Sequence, residues 1–393
     1  MRRRDFIRSV GAGAGALIAA STFGADAPVE PPVQPPVGPL EPFTVPKVRA
    51  EVDRIIAVTV CTRPFRAKGA RIEAEKLGRK TVVHNYGHGG SGWSLSWGSS
   101  TLALRLALET KVKEIAVIGC GALGLTSALL AQRAGLKVKI YAKERPPEVR
   151  STLATGSWTP NSRYCTEEHT TPELAAQWEE MTRISHRTFQ HMLSLPGDPV
   201  EWSDGYLLTD WAPGAGPKNH DNEPTYPNLD ARVRDLTPRN QLLTPGTHPF
   251  PTAYVRRFTN MIYNITVLQR LLMEDFLLAG GVIETREFDS PSDLAKLKEK
   301  TLINATGYGA RALWGDESIV PVRGQLLRLI PQPEIKYGLM YNGTLSMVPR
   351  RDGIILQTQK PDDFDNADAT ADRAQAEEAV TMMAELNSRF RGA

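Results

Sequence analysis

Three glycines in the pattern Gly119-x-Gly121-x-x-Gly124 have the spacing of a turn that binds a phosphate group. They follow a β-branched run, 114–118, and precede a helix-like segment, 125–134. The first glycine permits a tight turn, the second lets the backbone approach a pyrophosphate, and the third lets the helix pack on the strand. The positive end of the helix dipole then faces the phosphates. This context favours a dinucleotide site over an ordinary glycine turn.

An acidic residue is expected after the second strand of such a unit, where it binds the adenosine ribose. Strand 137–142 is followed by Lys143 and Glu144, and Glu144 lies 23 residues after the second glycine. Lys143 or Arg145 could instead bind a 2′-phosphate, which would favour NADP. Later in the chain, 304–307 ends a strand in a turn of small residues, which lets a sheet edge approach a cofactor closely.

A second glycine-rich segment, 84–98, contains two histidines, a tyrosine and two tryptophans. A linker does not have this composition, and its glycines suit close approach of the backbone to a flat ligand. Residues 82–92, Val-Val-His-Asn-Tyr-Gly-His-Gly-Gly-Ser-Gly, with Gly98 beyond them, resemble the signature of the D-amino-acid oxidase family of FAD enzymes. The last small residue of that signature is usually alanine and is Ser100 here.

Other segments resemble the same family, and the resemblance covers most of residues 48–393. Residues 114–144 resemble its FAD-binding start, and 151–160 resemble the loop that wraps the flavin. Residues 61–66, with 71–73, resemble its Arg-Pro-x-Arg strand. Shorter matches lie at 236–239, 304–307 and 322–325.

The resemblance implies a role for each matching residue. Arg63 would bind the substrate carboxylate in a bidentate pair, which suits a planar guanidinium. Tyr341 would donate its hydroxyl to the same carboxylate, and Gly90 would offer its backbone carbonyl to the substrate amine. The family has a second tyrosine four residues after the first, where this chain has Leu345 or Ser346. FAD would be bound by residues from several segments: Gly89, Gly90, Ser91, Gly92, Ser94, Gly119, Cys120, Gly121, Ala122, Leu123, Gly124, Lys143, Glu144, Ser151, Thr152, Thr155, Gly156, Ser157, Phe288, Thr306 and Gly307.

The implied reaction is hydride transfer from the α-carbon of a D-amino acid to the flavin, driven by positioning, with no obligatory general base. O₂ would accept the electrons and give H₂O₂, and the imino acid would hydrolyse to a 2-oxo acid and ammonia. We expect His84 and His88 to be structural hydrogen-bonding residues. Seven scattered histidines predict no metal site, and three cysteines are too few for a disulfide framework.

Three other functions stay open. A related flavoprotein could oxidise another amine or amino acid and use an acceptor other than O₂, which the altered tyrosine region favours. An exported flavin-binding module without activity is disfavoured by Arg63 beside a full signature. An NADP-dependent dehydrogenase is disfavoured by the flavin-type segments.

The order of the segments differs from that of the family. There the phosphate loop opens the chain and the Arg-Pro and His-Asn-Tyr-Gly segments close it, whereas here both precede Gly119. A circular permutation explains this order, with the usual termini joined through 99–113 and a new break between Ala393 and about Val48. Domain ends are commonly close in space, so such a cut is tolerable. The alternative is a fused fragment with an incomplete copy, but neither motif occurs twice in the sequence.

The elements that must position these residues are those of an α/β protein. We expect a doubly wound, Rossmann-like FAD-binding domain formed by 64–163 and 251–312. A substrate domain with a mixed, largely antiparallel sheet would comprise 48–63, 164–250 and 313–393. Strands are predicted at 54–60, 81–83, 114–118, 137–142, 282–285, 301–304, 325–330, 345–348 and 354–357, helices at 102–108, 125–134, 173–193, 265–278, 291–299 and 367–390, and a loop at 212–250.

The N-terminal region has the composition of an export signal followed by a spacer. Residues 2–8, Arg-Arg-Arg-Asp-Phe-Ile-Arg, precede an apolar run rich in Gly and Ala and a small-x-small site at 25–27. This order resembles the twin-arginine type of signal and predicts export to the periplasm or beyond. A basic arm or membrane anchor is the alternative, but the run is short and glycine-rich for a membrane helix. Residues 28–47 contain eight prolines and predict a polyproline II tether.

The composition excludes several classes of protein. A chain of 393 residues with 41% apolar and 23% charged residues is globular rather than disordered or collagen-like. A net charge of +3 indicates no basic face for nucleic acid. The expected partners are therefore a small D-amino acid and O₂, with no nucleic acid and no stable membrane insertion. The sequence does not indicate an oligomeric state.

Overall fold

The structure is a computed structural model that describes residues 41–216 and 223–391. These residues form fourteen strands and seven helices. The strands are β1 (Ile55–Arg66), β2 (Ala74–Leu77), β3 (Lys80–His84), β4 (Glu114–Ile118), β5 (Lys137–Ala142), β6 (Val200–Thr209), β7 (Gln241–Leu242), β8 (Tyr254–Tyr263), β9 (Val282–Thr285), β10 (Thr301–Asn304), β11 (Ile319–Leu329), β12 (Tyr337–Tyr341), β13 (Leu345–Arg350) and β14 (Gly353–Thr358). The helices are α1 (Gly92–Leu108), α2 (Ala122–Arg133), α3 (Pro172–Gln190), α4 (Ile265–Leu278), α5 (Pro291–Ala295), α6 (Ala310–Trp314) and α7 (Arg373–Ser388).

One sheet has six strands in the order β2-β3-β10-β4-β5-β9. All are parallel except the edge strand β2. A strand buried on both faces needs a continuous apolar run, and β4 has one at 115–118. Apolar side chains of α1, α2 and α4 cover one face, and those of α5 and α6 cover the other. The predicted doubly wound α/β domain is confirmed.

The other sheet has eight strands in the order β1-β11-β14-β13-β12-β6-β8-β7. It is antiparallel except between β12 and β6. Leu327, Leu339, Met347 and Leu356 pack under α7 on one face of this sheet. On the opposite face, Leu326 of β11 packs with Ile262, Val348 and Ile355. The predicted mixed, largely antiparallel sheet is therefore also present.

Several element boundaries differ from the prediction. β1 continues to Arg66 because Pro64, which has no N–H, lies on an edge strand, where it is tolerated. α1 begins at Gly92, inside the glycine-rich segment. β6 was not predicted, and β8 was assigned to the FAD-binding domain but pairs with β6 in the eight-stranded sheet. The region 212–250 contains the short β7 and a 3₁₀ turn at 230–236.

The last seven residues of the predicted tether are part of the folded structure. Phe43 stacks on Tyr206 with 5.8 Å between ring centroids, and Val45 and Val48 are buried. The Pro46 carbonyl accepts a hydrogen bond from the Tyr337 hydroxyl at 2.8 Å. Residues 41–47 are therefore packed and are not a free spacer, contrary to our expectation. The predicted signal, 1–27, and residues 28–40 lie outside the described residues.

The described part of the chain contains no helix that is both long and apolar enough to cross a membrane.

Candidate functional site

A cavity of about 580 Å³ lies where the carboxyl ends of five parallel strands meet. The loops after β3, β4, β5, β9 and β10 all line it, at 87–90, 119–123, 143–144, 286–289 and 305–309. In open α/β sheets, ligands bind in the crevice at this edge. Residues 61–64 of β1, Leu326 of β11 and the segment 149–157 complete the wall. Both glycine-rich stretches of the sequence thus border one cavity.

The first glycine-rich turn packs tightly against its neighbours. Gly119 has a φ of +108°, and a β carbon there would lie 2.5 Å from the Ala305 carbonyl oxygen. A β carbon on Gly124 would lie 2.1 Å from the Gly119 carbonyl oxygen, so only glycine lets α2 start this close to β4. The Ala122 N–H donates to the Ser151 hydroxyl at 3.1 Å. The turn and the N-terminus of α2 therefore lie open to the cavity, with Ser151 fixed beside them.

Charged side chains surround the cavity at the ends of β5 and β9. Lys143 forms an ion pair with Glu287 at 2.6 Å, and both side chains are exposed. The Arg286 guanidinium lies 5.0 Å from the centroid of the Phe288 ring. Glu144 also lines the cavity, beside Lys143. Because Lys143 already has an acidic partner, the arrangement does not favour it as a reader of a 2′-phosphate.

The segment 149–157 is tied to the strands around it. Gly156 has a φ of +90°, and its carbonyl accepts from the Tyr263 N–H at 2.6 Å. The Thr159 N–H donates to the Ser94 hydroxyl at 2.8 Å, which joins this segment to α1. Ser94 and Gly156 both line the cavity. These bonds set the position of the segment that the sequence predicted to wrap a flavin.

The second glycine-rich turn contacts β1 directly. The Gly89 N–H donates to the Pro64 carbonyl at 2.8 Å, and the Gly90 N–H donates to the Ser162 carbonyl at 2.9 Å. Gly89 has a φ of +55°, and a β carbon there would lie 1.9 Å from the Arg163 carbonyl oxygen. This close packing requires glycine. It brings Gly90 and the strand that contains Arg63 to the same end of the cavity.

Arg63 projects from β1 into the cavity. Its Nη1 donates to the Arg323 carbonyl at 2.9 Å, and its guanidinium lies directly over the α carbon of Gly324. Burial and, to a lesser extent, nearby Arg163 lower the pKa of Arg63, but an arginine stays charged in proteins. Arg163 is itself paired with Glu223 at 2.6 Å. No carboxylate of the described residues forms an ion pair with Arg63, although Asp363 and Glu223 lie near enough to act on its charge.

Tyr341 does not line the cavity, contrary to our expectation. It pairs with Leu345 at the end of β12, and the register places it on the same face as Leu339, under α7. Its hydroxyl accepts from Arg389 Nη2 at 3.1 Å. Alternate residues of a strand point to opposite faces. Of the two residues at the position of the family's second tyrosine, Leu345 therefore lies under α7 and Ser346 on the opposite face of the sheet, and neither lines the cavity.

Most of the other predicted cofactor residues line the cavity, and three do not: Ser91, Gly124 and Thr152. The Ser91 hydroxyl donates to the His88 carbonyl at 2.8 Å. The Thr152 hydroxyl donates to Gln269 at 2.7 Å. These hydrogen bonds hold segments that line the cavity, although Ser91 and Thr152 do not line it themselves. Sequence reasoning missed Arg150 and Tyr308, which also line the cavity, although each lies next to a segment that it had singled out.

The two histidines of the second glycine-rich stretch are buried in hydrogen-bond networks. His84 Nε2 contacts Glu75 at 3.0 Å, and its Nδ1 contacts the Asn304 side chain at 3.2 Å. Burial lowers the pKa of His84 to about 4 and that of His88 to about 3. Both rings are therefore neutral at pH 7, and neither arrangement is that of a general acid.

Comparisons with known proteins point to one family. The family model described as FAD dependent oxidoreductase matches residues 114–392. The chain is 28% identical over 294 residues to a D-amino-acid oxidase from Rubrobacter xylanophilus, covering 72% of this chain and 79% of that one. A D-amino-acid oxidase from Streptomyces coelicolor is 26% identical over 54% of this chain, which spans only 58% of that relative. Among solved structures, an iminodiacetate oxidase from Chelativorans sp. BNC1 aligns over 70% of this chain and 79% of its own, with a TM-score of 0.49 and 13% identity.

The chain belongs to the family of FAD-dependent oxidoreductases. It is therefore an enzyme whose cofactor is FAD, as the sequence predicted. The residues of the cavity fit this cofactor: a glycine turn without side chains opens at the start of α2, and the cavity volume falls within the range of about 300–1,000 Å³ that is typical of ligand sites. FAD supplies a two-electron oxidation when it is bound.

Proposed function

We propose that the chain oxidatively deaminates D-amino acids to 2-oxo acids and ammonia, with O₂ as the electron acceptor and H₂O₂ as the second product. The observation that supports this most directly is Arg63, a cavity-lining guanidinium whose hydrogen bond goes to a backbone carbonyl. A cation in this position needs an anion, and a planar guanidinium pairs best with a carboxylate. The curated relatives named as D-amino-acid oxidases support the same substrate class.

The residues of this chain would bind and orient the substrate rather than transfer its protons. Arg63 would accept the carboxylate, and the Gly90 carbonyl would accept a hydrogen bond from the amine. Gly89 and Pro64 connect these two groups through one backbone hydrogen bond, so their separation is fixed by the fold. Arg63 and the Gly90 carbonyl would hold the substrate on both sides of its α-carbon and present one face of that carbon to the flavin. This positioning would lower the activation barrier of the oxidation.

The FAD contacts follow the same reasoning. The turn at 119–124 and the start of α2 would bind the diphosphate, and Glu144 would bind the adenosine ribose. Gly89, Gly92 and Ser94 would lie along the flavin. Phe288, Thr306 and Gly307 would complete the enclosure from the ends of β9 and β10.

A substrate panel tests the function. Purified FAD-bound protein is assayed with D- and L-amino acids, with H₂O₂ release and loss of flavin absorbance measured in parallel. We expect both signals with at least one D-amino acid and neither with its enantiomer. Loss of flavin absorbance without H₂O₂ would favour the second candidate, a dehydrogenase with another acceptor. Silence towards every D-amino acid in FAD-replete protein would refute the proposed substrate class.

Two substitutions test the role of Arg63. Arg63→Ala should abolish turnover while the protein still purifies with FAD, because Arg63 lies at the substrate end of the cavity. Arg63→Lys keeps the charge but cannot form the planar bidentate pair with a carboxylate. It should therefore raise KM and leave the flavin content unchanged. Wild-type activity in Arg63→Ala would remove this residue from the mechanism.

The location and the chain order belong to the same proposal. The predicted twin-arginine signal implies an exported enzyme, and replacing Arg3 and Arg4 by lysine should keep the protein in the cytoplasm.

The proposed circular permutation is supported by the family match, which begins at Glu114, the first residue of β4. It is also supported by the Asn387 side chain, which donates to the Val48 carbonyl at 2.7 Å. The two ends of the folded chain therefore lie together.

A further inference from the structure

Arg150 is a cationic residue of the cavity wall that neither the fold nor the proposed substrate explains. It is exposed and lines the cavity, and no described carboxylate forms an ion pair with it. Its guanidinium carbon lies 5.2 Å from the centroid of the Tyr308 ring. Tyr308 belongs to the turn after β10, which also lines the cavity. The pair thus joins two separate segments of the wall.

The backbone of Arg150 is held close to the phosphate-binding turn. The next residue, Ser151, accepts hydrogen bonds from the Ala122 N–H at 3.1 Å and from Gln269 at 2.9 Å. The Ser151 carbonyl accepts from the Trp93 indole at 2.8 Å. Ser151 is therefore fixed against the first residue of α2. The Arg150 side chain therefore starts one residue away from the contact with that helix end.

The other cations of the cavity are paired or lie at other parts of its wall. Lys143 is paired with Glu287. Arg286 lies over Phe288, at the ends of β5 and β9. Arg63 bonds the Arg323 carbonyl at the opposite end, where Gly90 lies. Among the cavity cations of the described residues, Arg150 is thus the one that adjoins the contact with the phosphate-binding turn and forms no ion pair.

We propose that Arg150 retains the cofactor: its guanidinium binds the diphosphate of FAD, and the ring of Tyr308 holds that guanidinium over the cavity. A guanidinium supplies charge-assisted hydrogen bonds to phosphate oxygens, and an aromatic face restricts its movement. The helix end and Arg150 then approach the same anion from two sides. This inference rests on the cofactor alone and does not depend on the proposed substrate.

The test measures FAD affinity and release rather than turnover. Apo protein is titrated with FAD and the dissociation constant and release rate are followed by flavin fluorescence, with ADP as a competitor. Arg150→Gln should weaken both FAD and ADP about tenfold or more, since both contain the diphosphate. The loss should shrink at high salt because part of it is a charge–charge attraction. The affinities of Arg150→Lys should lie between those of the wild type and those of Arg150→Gln.

Arg79→Gln is the matched control. It removes the same charge from an exposed residue between β2 and β3 that does not line the cavity. It should leave both affinities unchanged. The melting temperatures of the apo proteins should not differ, which separates a binding role from a structural one. Equal losses in the two variants, an unchanged FAD constant in Arg150→Gln, or a loss of FAD affinity without a loss of ADP affinity would each overturn the proposal.

Tyr308 gives an independent measurement. Tyr308→Phe keeps the ring and should release FAD at the wild-type rate. Tyr308→Leu removes the ring and should release FAD about two- to fivefold faster, the range expected for an exposed cation–π contact. In the background of Arg150→Gln, Tyr308→Leu should have no further effect. If Tyr308→Leu accelerated FAD release equally in the wild type and in Arg150→Gln, the ring would act independently of Arg150. That result would contradict the proposed pairing of the two residues.

Discussion

The contact between Arg63 and Gly324 provides the sharpest test of the substrate site. A β carbon on Gly324 would lie 2.4 Å from Cζ and Nη2 of Arg63 and 2.5 Å from its Nη1. Ordinary contacts begin at 3.4 Å, so Gly324→Ala must displace the guanidinium by about 1 Å. The displaced atoms are the end of a flexible side chain, and the strand backbone at this position accepts alanine. The fold should therefore persist while the anion-binding group moves.

The size of the effect follows from the bonds that this movement breaks. Hydrogen bonds to charged groups contribute about 1.5–3 kcal/mol, so loss of one of the two bonds to a carboxylate lowers kcat/KM by about ten- to hundredfold. A shift of about 1 Å in a positioning group can reduce the rate to a similar extent. Rapid-mixing measurements of flavin absorbance without O₂, across substrate concentration, separate binding from the oxidation step. The flavin content should stay that of the wild type.

A second glycine in the same sheet provides the control. Gly338 lies in β12, and a β carbon there would be 3.5 Å from the Met347 carbonyl oxygen, an ordinary contact. Gly338→Ala should therefore leave kcat/KM within a factor of about two of the wild type. If Gly324→Ala had the same kcat/KM as Gly338→Ala, the position of the Arg63 guanidinium would not matter to the reaction, and the reasoning would fail.

Three further predictions concern the cofactor turn, a buried histidine and the chain order. Gly124→Ala should purify without FAD, judged by its absorbance, because its β carbon would lie 2.1 Å from a backbone oxygen of Gly119 that cannot move alone; retained FAD would contradict this packing. Burial lowers the pKa of His84 from 6.5 to about 4. The unfolded state therefore binds the proton first as the pH falls, and up to about 3 kcal/mol of stability is lost between pH 6.5 and pH 4. Urea unfolding of the wild type and His84→Gln at several pH values measures this, and equal pH slopes would refute it. A chain reordered to begin at the first residue of β4, with its old end linked to Val48 and its new end in the loop after α1, should fold and bind FAD; a failure to fold would count against the permutation.

Much of the cofactor site could be predicted because its determinants are local. A glycine turn between β4 and α2 requires only a few consecutive residues, and steric contact at Gly119 and Gly124 explains their spacing. The order of strands and helices around it also follows from short apolar runs. Strands β6 and β8 escaped prediction because polar and apolar residues mix within them, and their mutual pairing connects residues far apart in the sequence. Such pairing is not visible in either segment alone.

Tyr341 shows why the substrate end was harder to predict than the phosphate end. Side chains alternate between the two faces of a strand, so a shift of one residue moves a side chain to the opposite face. The register between β12 and β13 placed Tyr341 under α7, and Ser346 on the opposite face of the sheet. Motif similarity matched this segment but could not determine which face of the strand Tyr341 would occupy. For the same reason, the position of Arg63 over Gly324 became visible only with β1 and β11 paired.

The sequence by itself determined the family, the cofactor and the residues of the glycine turns, because each depends on short segments whose steric demands only certain residues meet. Tertiary structure decided which side chains face the cavity and which neighbours they have. The hydrogen bond from Arg63 to the Arg323 carbonyl, and the contact of Arg150 with Tyr308, each join segments separated by more than a hundred residues. Contacts of this kind arise from the packing of two sheets, and no local pattern encodes them.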